Sequence, residues 1–178
     1  HDHSYGTTFQ AGLGFAGIGI LVDAAGDDTY TGSKWTQGAA IGGLGLLLDL
    51  GGADTYTSFG YALGCAGAGG VAAVIDGAGN DRYQCGRKLP SQFNDFEAHG
   101  LPPTDPRFQY DAFGLGMGLG RRVVSSKTTE QAYALAGGTG MALDLAGDDR
   151  YEASNFAEGC GFFFGVGLLL DLGGNDTH

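Results

Sequence analysis

The sequence predicts an all-β protein folded as a glycine-rich parallel β-solenoid of about six coils. Glycine makes up 36 of the 178 residues, and each glycine costs about 1 kcal/mol in a helix interior, which excludes a helical bundle. Hydrophobic residues make up 43 % of the chain, with eleven Phe and eight Tyr, so a disordered linker is also excluded. One short motif recurs along the chain, in a unit too small to bury its own apolar face unless neighbouring units stack. An antiparallel array of hairpins, closed as a barrel or a sandwich, fits the same period and stays open.

The repeated motif reads Asp-x-x-Gly-x-Asp-x-Tyr and occurs five times, with His178 in place of the last tyrosine. Successive first aspartates are separated by 26, 27, 68 and 27 positions. We expect the gap of 68 to hold one degraded copy, in which Arg122 takes the place of the first aspartate, together with an insertion. The first aspartates are Asp23, Asp49, Asp76, Asp144 and Asp171.

Within each copy, the positions have separate structural meanings. The short apolar runs before the first aspartate, such as residues 44–48 and 166–170, predict buried strands. The glycine three residues after that aspartate predicts a tight turn with positive φ. Cys65 and Cys160 share a slot eleven residues before it, with Tyr133 in the same slot of the fourth copy. The mostly small residues of this slot predict a packed interior position.

The chain is expected to form one repeat domain, residues 1–178, with a proline-rich loop inserted at about 84–112. All four prolines lie in this loop. Asp95, Glu97 and His99 alternate there and could form a metal or acid–base trio, although a solvated loop is the preferred interpretation. His1 and His3 form a terminal pair, either frayed or a processing remnant. The alternating glycines of 12–14 and 114–118 lack the strand–loop–helix setting and the lysine of a nucleotide-binding loop.

Charge and hydropathy exclude two classes of partner. The chain carries 20 acidic and 9 basic residues, so its net charge of −11 repels nucleic acid. No apolar run approaches the roughly 18 to 20 residues that a membrane span needs. The three cysteines are an odd number, which argues against a complete disulfide framework.

Stacked coils would place equivalent aspartates close together. Neighbouring strands lie about 4.8 Å apart, and two unit charges at that distance repel by about 3.5 kcal/mol at an effective dielectric constant of 20. Each aspartate could be compensated by capping its own turn, or the rows could bind cations. Carboxylates and turn carbonyls are ligands suited to Ca²⁺. The candidate metal ligands are Asp23, Asp28, Asp49, Asp54, Asp76, Asp81, Asp144, Asp149, Asp171 and Asp176.

The turns at 76–83 and 173–177 resemble the calcium-binding nonapeptides of repeats-in-toxin proteins. The resemblance covers about eight residues in each copy, and the motif occurs once per repeat unit instead of in consecutive nines. It implies Ca²⁺ held between glycine-rich turns of a parallel β-roll. Carried over to this sequence, it makes Asp28, Asp54, Asp81, Asp149 and Asp176 the ligand aspartates.

These observations favour a non-catalytic structural or interaction protein. We expect it to be Ca²⁺-stabilised and extracellular or at the cell surface. We also expect head-to-tail association into a filament, because the last motif ends at the C-terminus without a cap. One alternative is a carbohydrate-binding or carbohydrate-active solenoid that uses the 84–112 loop. Another is an accessory repeat domain of a longer secreted protein. The motif tyrosines would form a packing ladder or, as a second interpretation, a sugar platform: Tyr30, Tyr56, Tyr83 and Tyr151.

Overall fold

Short strands joined by tight turns make up the fold in a computed structural model that describes residues 8–91, 94, 100–121 and 134–178. In chain order the strands are β1 (Gly14–Phe15), β2 (Ile18–Asp23), β3 (Thr29–Thr31), β4 (Lys34–Thr36), β5 (Ala40–Ile41), β6 (Leu44–Asp49), β7 (Thr55–Ser58), β8 (Gly60–Ala62), β9 (Val71–Asp76), β10 (Arg82–Cys85), β11 (Leu89–Pro90), β12 (Tyr110–Asp111), β13 (Gly118–Leu119), β14 (Thr139–Asp144), β15 (Arg150–Ala153), β16 (Gly161–Phe162) and β17 (Val166–Asp171).

Two stacks of parallel strands define the coils. The main sheet has five strands in the order β17-β14-β9-β6-β2, and the second sheet has four in the order β15-β10-β7-β3. Pairing in the main sheet is in register, so Asp49 lies between Asp23 and Asp76. We number coils 1 to 5 by the main-sheet strand that each contains, from β2 to β17. The all-β parallel solenoid is therefore confirmed, with five coils where about six were expected.

Parallel pairing also decides between the two predicted architectures. Each main-sheet strand pairs parallel with the equivalent strand of the next coil, so the hairpin-repeat barrel or sandwich is wrong. Among the described strands, only β11 and β12 pair antiparallel, within the proline-rich excursion. Strand β10 therefore includes residue 84, the first of the loop expected at 84–112, and β12 ends one residue before the last.

The predicted degraded copy does not form a coil of its own. Asp76 pairs directly with Asp144, so the 68-residue gap adds no strand to the main sheet. Gly116 and Gly118 belong instead to coil 4, where Gly118 bridges to Ala66 of coil 3. Alternating glycines misled the sequence interpretation because both stretches of each coil need them: a Cβ at Gly116 or at Gly140 would collide with a neighbouring carbonyl oxygen. Arg122 lies outside the described residues.

The motif glycines allow the coils to approach. A Cβ on Gly79 would collide with the carbonyl oxygen of Gly52, and one on Gly174 with that of Gly147. The predicted positive φ is present at Gly174 (143°) but not at Gly79. Close stacking of turns is therefore the requirement that Gly52, Gly79, Gly147 and Gly174 share, more than a single backbone conformation.

The slot that holds Cys65 and Cys160 is interior, as predicted. Cys65 is fully buried and packs with Phe113 and Met117, with Cys160 at the edge of that cluster. Met117 fills the slot in coil 4, since Ala66 bridges to Gly118 and Gly118 pairs with Gly161. Tyr133, which the sequence placed there, lies outside the described residues. All three cysteines are free thiols.

The motif tyrosines stack from coil to coil. Their rings are 4.8 to 4.9 Å apart and only 3° from parallel between successive coils. This distance equals the spacing of about 4.8 Å between neighbouring strands. Each ring therefore packs on the equivalent ring of the next coil.

The main strands are buried on one face only. In β6, Gly45, Leu47 and Asp49 point inward, whereas Leu44, Leu46 and Leu48 stay partly or fully exposed. The prediction of buried strands is thus correct for the inner face and wrong for the outer one. The described part of the chain contains no helix that is long and apolar enough to cross a bilayer.

Candidate metal centre

Two rows of aspartates run along the corner between the two sheets. Row A consists of the residues that end the main strands, and row B of the residues five positions later. Row A comprises Asp23, Asp49, Asp76, Asp144 and Asp171. Row B comprises Asp28, Asp54, Asp81, Asp149 and Asp176.

Row A carboxylates are satisfied by hydrogen bonds. Oδ1 of Asp76 accepts the N–H of Ala78 in its own turn at 3.2 Å. Oδ2 of Asp76 accepts the hydroxyl of Tyr56 from the preceding coil at 2.5 Å. Both bonds recur along the row, so row A caps its turns in the manner expected of a structural aspartate. The equivalent tyrosine-to-aspartate bonds join Tyr30 to Asp49 (2.6 Å), Tyr83 to Asp144 (2.7 Å) and Tyr151 to Asp171 (2.9 Å).

Three row B carboxylates, those of Asp54, Asp81 and Asp149, are only half satisfied. Oδ1 of Asp54 accepts the backbone N–H of Asp28 at 2.6 Å, and the same bond recurs from coil to coil. The Oδ2 atoms of Asp54, Asp81 and Asp149 are buried and receive no N–H or O–H donor, and these residues are only 1 to 2 % exposed. The Asp81 and Asp149 carboxyl groups instead face the row A carboxyl groups of Asp76 and Asp144 within hydrogen-bonding distance. Two carboxylates in that position need a shared proton or a cation.

The pKa values of this corner reflect the same imbalance. Burial raises the pKa of Asp54 from 3.8 to about 7, against the opposing effect of its backbone hydrogen bond with Asp28. Burial, followed in effect by the neighbouring carboxylates, raises the pKa of Asp81 to about 8 despite its hydrogen bond with Asp54. The pKa values of Asp76 and Asp144 rise to about 6 and about 7 for the same first reason, although tyrosine hydroxyls lower them. Without a positive charge nearby, this corner therefore holds protons near neutral pH.

The rows converge into four clusters, one at each junction between coils. Each cluster takes one row B residue from one coil and a residue of each row from the next, and its ligand oxygens all lie within 4.8 Å of one another. Row B residues in the middle of the stack belong to two clusters each. The clusters are Asp28–Asp49–Asp54, Asp54–Asp76–Asp81, Asp81–Asp144–Asp149 and Asp149–Asp171–Asp176.

The donor set indicates which ion would fit. All three donors in each cluster are carboxylate oxygens, with no histidine or cysteine among them, which suits a hard cation. Ca²⁺ binds oxygen at about 2.3 to 2.6 Å, so two of its ligands lie at most about 5 Å apart. The 4.8 Å spread of each cluster satisfies that limit. Asp54, Asp81 and Asp149 belong to these clusters, and a bound cation would give their carboxylates the partner that the Oδ2 atoms lack.

Nine of the ten predicted ligands fall in these clusters. The tenth, Asp23, accepts the N–H of Ala24 at 2.7 Å in its own turn and joins no cluster among the described residues. Asp95, Glu97, His99 and the pair His1 and His3 lie outside the described residues. The motif tyrosines are at most 2 % exposed, so they form a packing ladder and not a sugar platform.

Two features of the corner and its surroundings escape sequence reasoning. One is the hydrogen bond from each motif tyrosine to the row A aspartate of the next coil. This bond joins two copies of the motif, so a single copy does not reveal it. The other is a second ladder of stacked rings from Trp35, Tyr61, Phe113 and Phe156, with centroids 4.7 to 5.2 Å apart. Its only signal in the sequence is that one repeat period separates Trp35 from Tyr61, because the insertions interrupt the period afterwards.

No protein-family model, curated protein or solved structure matches this chain. The function must therefore be argued from the geometry alone.

Proposed function

We propose that this chain is a non-catalytic structural or interaction module whose coils are stabilised by a row of Ca²⁺ ions at the aspartate corner. The observation that carries the proposal is the column of buried, donor-less Oδ2 atoms of Asp54, Asp81 and Asp149. A buried polar atom without a partner costs roughly 1 to 3 kcal/mol, and more when charged. A ligand bound along the column would offset that cost in each successive coil.

Charge counting supports a divalent ion. Each coil added to the stack contributes one row A and one row B carboxylate, two negative charges, and creates one cluster. One divalent cation per cluster neutralises those two charges, whereas a monovalent cation leaves one uncompensated. Arg82 and Arg150, which follow Asp81 and Asp149 in the sequence, form their ion pairs with Glu152 and not with the corner.

Calcium is favoured over magnesium by burial. Mg²⁺ demands near-octahedral geometry and usually keeps several waters, while Ca²⁺ accepts irregular sets of six to eight protein oxygens. In the clusters of coils 1 to 4 every aspartate is buried, which leaves little room for retained water. We also propose an extracellular or cell-surface location, where modules bind Ca²⁺ with dissociation constants of roughly 10⁻⁴ to 10⁻³ M.

The test is the metal content and the melting temperature of the full chain. Purified protein is dialysed against EDTA, then titrated with CaCl₂ by calorimetry, with MgCl₂ in a parallel titration. We expect up to four Ca²⁺ per chain and a large rise in melting temperature, because each site filled to 100 times its dissociation constant adds about 2.7 kcal/mol. No bound Ca²⁺ and an unchanged melting curve would refute the proposal and leave turn capping as the role of both rows.

Other expectations stay predictions. Head-to-tail association would require a second chain to pair with the edge strands of the main sheet, β2 or β17. It would produce assemblies that lengthen with protein concentration, visible by electron microscopy. Carbohydrate binding through the 84–112 loop and an origin in a longer secreted protein stay predictions in the same way.

A further inference from the structure

The outer face of the main sheet is almost entirely apolar. Four outward positions on each strand and its first turn residue give twenty sites, of which Thr139 alone has a polar side chain. We call these twenty residues the outer face. Many of its large side chains are well exposed, including Ile18 (75 %), Val166 (59 %) and Leu172 (60 %). Antiparallel sheets with a solvated face normally alternate polar residues there, and parallel sheets are almost always covered on both faces.

The outer face is also continuous. Strands are in register across all five coils, so equivalent outward residues form rows that run from β2 to β17. Two sheets that pack face to face bury an apolar face from each side. The surface that is complementary to a continuous apolar sheet face is therefore another face of the same composition.

The outer face is large enough for a dimer interface at the lower end of the usual size range. Five strands at about 4.8 Å and seven residues at about 3.3 Å give a flat footprint of about 550 Å². That footprint is already near the top of the range of about 300 to 600 Å² for the largest patch on a monomer. Side chains standing out from the sheet expose more area than the footprint, which brings it towards the roughly 800 Å² that each partner buries in a standard interface.

We propose that the outer face is the interface of a symmetric dimer of this chain, formed by packing the main sheets of two copies face to face. The contact is isologous and therefore closes at two chains, unlike the open-ended filament considered above. The turns that carry the exposed acids Asp27 and Asp148 lie beside the outer face and not within it, so the net charge of −11 does not prevent contact.

The experiment is sedimentation equilibrium of the full chain between 1 and 100 µM, roughly, with Ca²⁺ present and with EDTA. We expect a mass of twice 18.2 kDa that does not grow further with concentration. Leu46→Glu puts a charge near the centre of the outer face twice per dimer and should weaken association by at least about a hundredfold. Thr31→Glu, an exposed site on the second sheet, is the matched control and should leave the dimer intact.

A monomer throughout the concentration range would overturn the proposal, and so would equal weakening by Leu46→Glu and Thr31→Glu. Open-ended growth would identify the edge strands instead as the contact. Circular dichroism checks that each variant folds. Should Leu46→Glu unfold the chain, Ile20→Glu, at a position already 56 % exposed, provides the same test near the edge of the face.

Discussion

Replacing Asp54 by asparagine should change stability in opposite directions with and without Ca²⁺. Asp54 is 1 % exposed, belongs to two clusters and carries an Oδ2 atom without a donor. In EDTA at pH 8 the Asp54 carboxyl group is mostly ionised. Its pKa is about 7 in the folded chain and 3.8 in the unfolded chain, so ionisation costs free energy in the folded chain. That difference corresponds to about 4 kcal/mol of destabilisation. Asp54→Asn removes the charge while its amide oxygen can still accept the N–H of Asp28.

The expected rise in EDTA is therefore up to about 4 kcal/mol, or roughly 8 to 16 °C in melting temperature for a chain of this size. With Ca²⁺ at 100 times its dissociation constant, the same substitution also removes up to about 5 kcal/mol of binding free energy from two sites, so the net effect is a loss of about 1 kcal/mol. The assay is differential scanning calorimetry of both proteins in both buffers. Asp27→Asn is the matched control, because Asp27 is exposed and the equivalent coil 3 residue, Asn80, makes the same kind of bond to the next coil. The reasoning is refuted if Asp54→Asn shifts the melting temperature in the same direction in both buffers.

Three further results are expected. In EDTA, the free energy of unfolding should fall as the pH rises from about 4 to 9, because row A and row B residues with folded pKa values of about 6 to 8 bind protons that the unfolded chain, at 3.8, has released. A flat or rising profile in urea titrations across that range would contradict the raised pKa values. Tyr83→Phe leaves Oδ2 of Asp144 without its donor and should lower the free energy of unfolding by about 1 to 3 kcal/mol, measured by chemical denaturation. A loss below roughly 0.5 kcal/mol would mean that water replaces the hydroxyl. Gly79→Ala should lower the melting temperature, because the new Cβ would collide with a carbonyl oxygen of the neighbouring coil. Gly173→Ala, with open space around it, is the control and should melt like the wild type. Similar melting curves for the two variants would show that the turns can separate.

The solenoid could be predicted from the sequence because the repeat period and the need to bury apolar surface both require stacked coils. A repeat unit this short, with one apolar run, must share its core with the next unit, and in-register stacking then aligns the motif. The two aspartate rows follow directly from that alignment. Their clustering, with oxygens within 4.8 Å, depends on the turn geometry between rows, which spacing alone does not determine.

Other parts could not be predicted for identifiable reasons. The 68-residue gap was divided wrongly because alternating glycines occur wherever two backbones approach, both near Gly116 and in the main strands. The outward apolar face was missed because an uninterrupted apolar run, such as residues 44–48, is typical of a strand buried on both sides. Its exposure depends on what covers it, and this is a tertiary or quaternary property.

Direct pairing of Asp76 with Asp144 has a consequence for how such a chain can change over evolution. The coils on either side of the 68-residue separation keep the same register, tyrosine bond and cluster as coils that follow one another without an insertion. New sequence can therefore enter between coils without disturbing the bonds that hold them together. Whole units can also be gained or lost, since each brings its own two carboxylates and completes its own aspartate cluster. Excising residues 50–76, one complete repeat unit, should accordingly yield a shorter protein with one Ca²⁺ fewer and an otherwise unchanged corner.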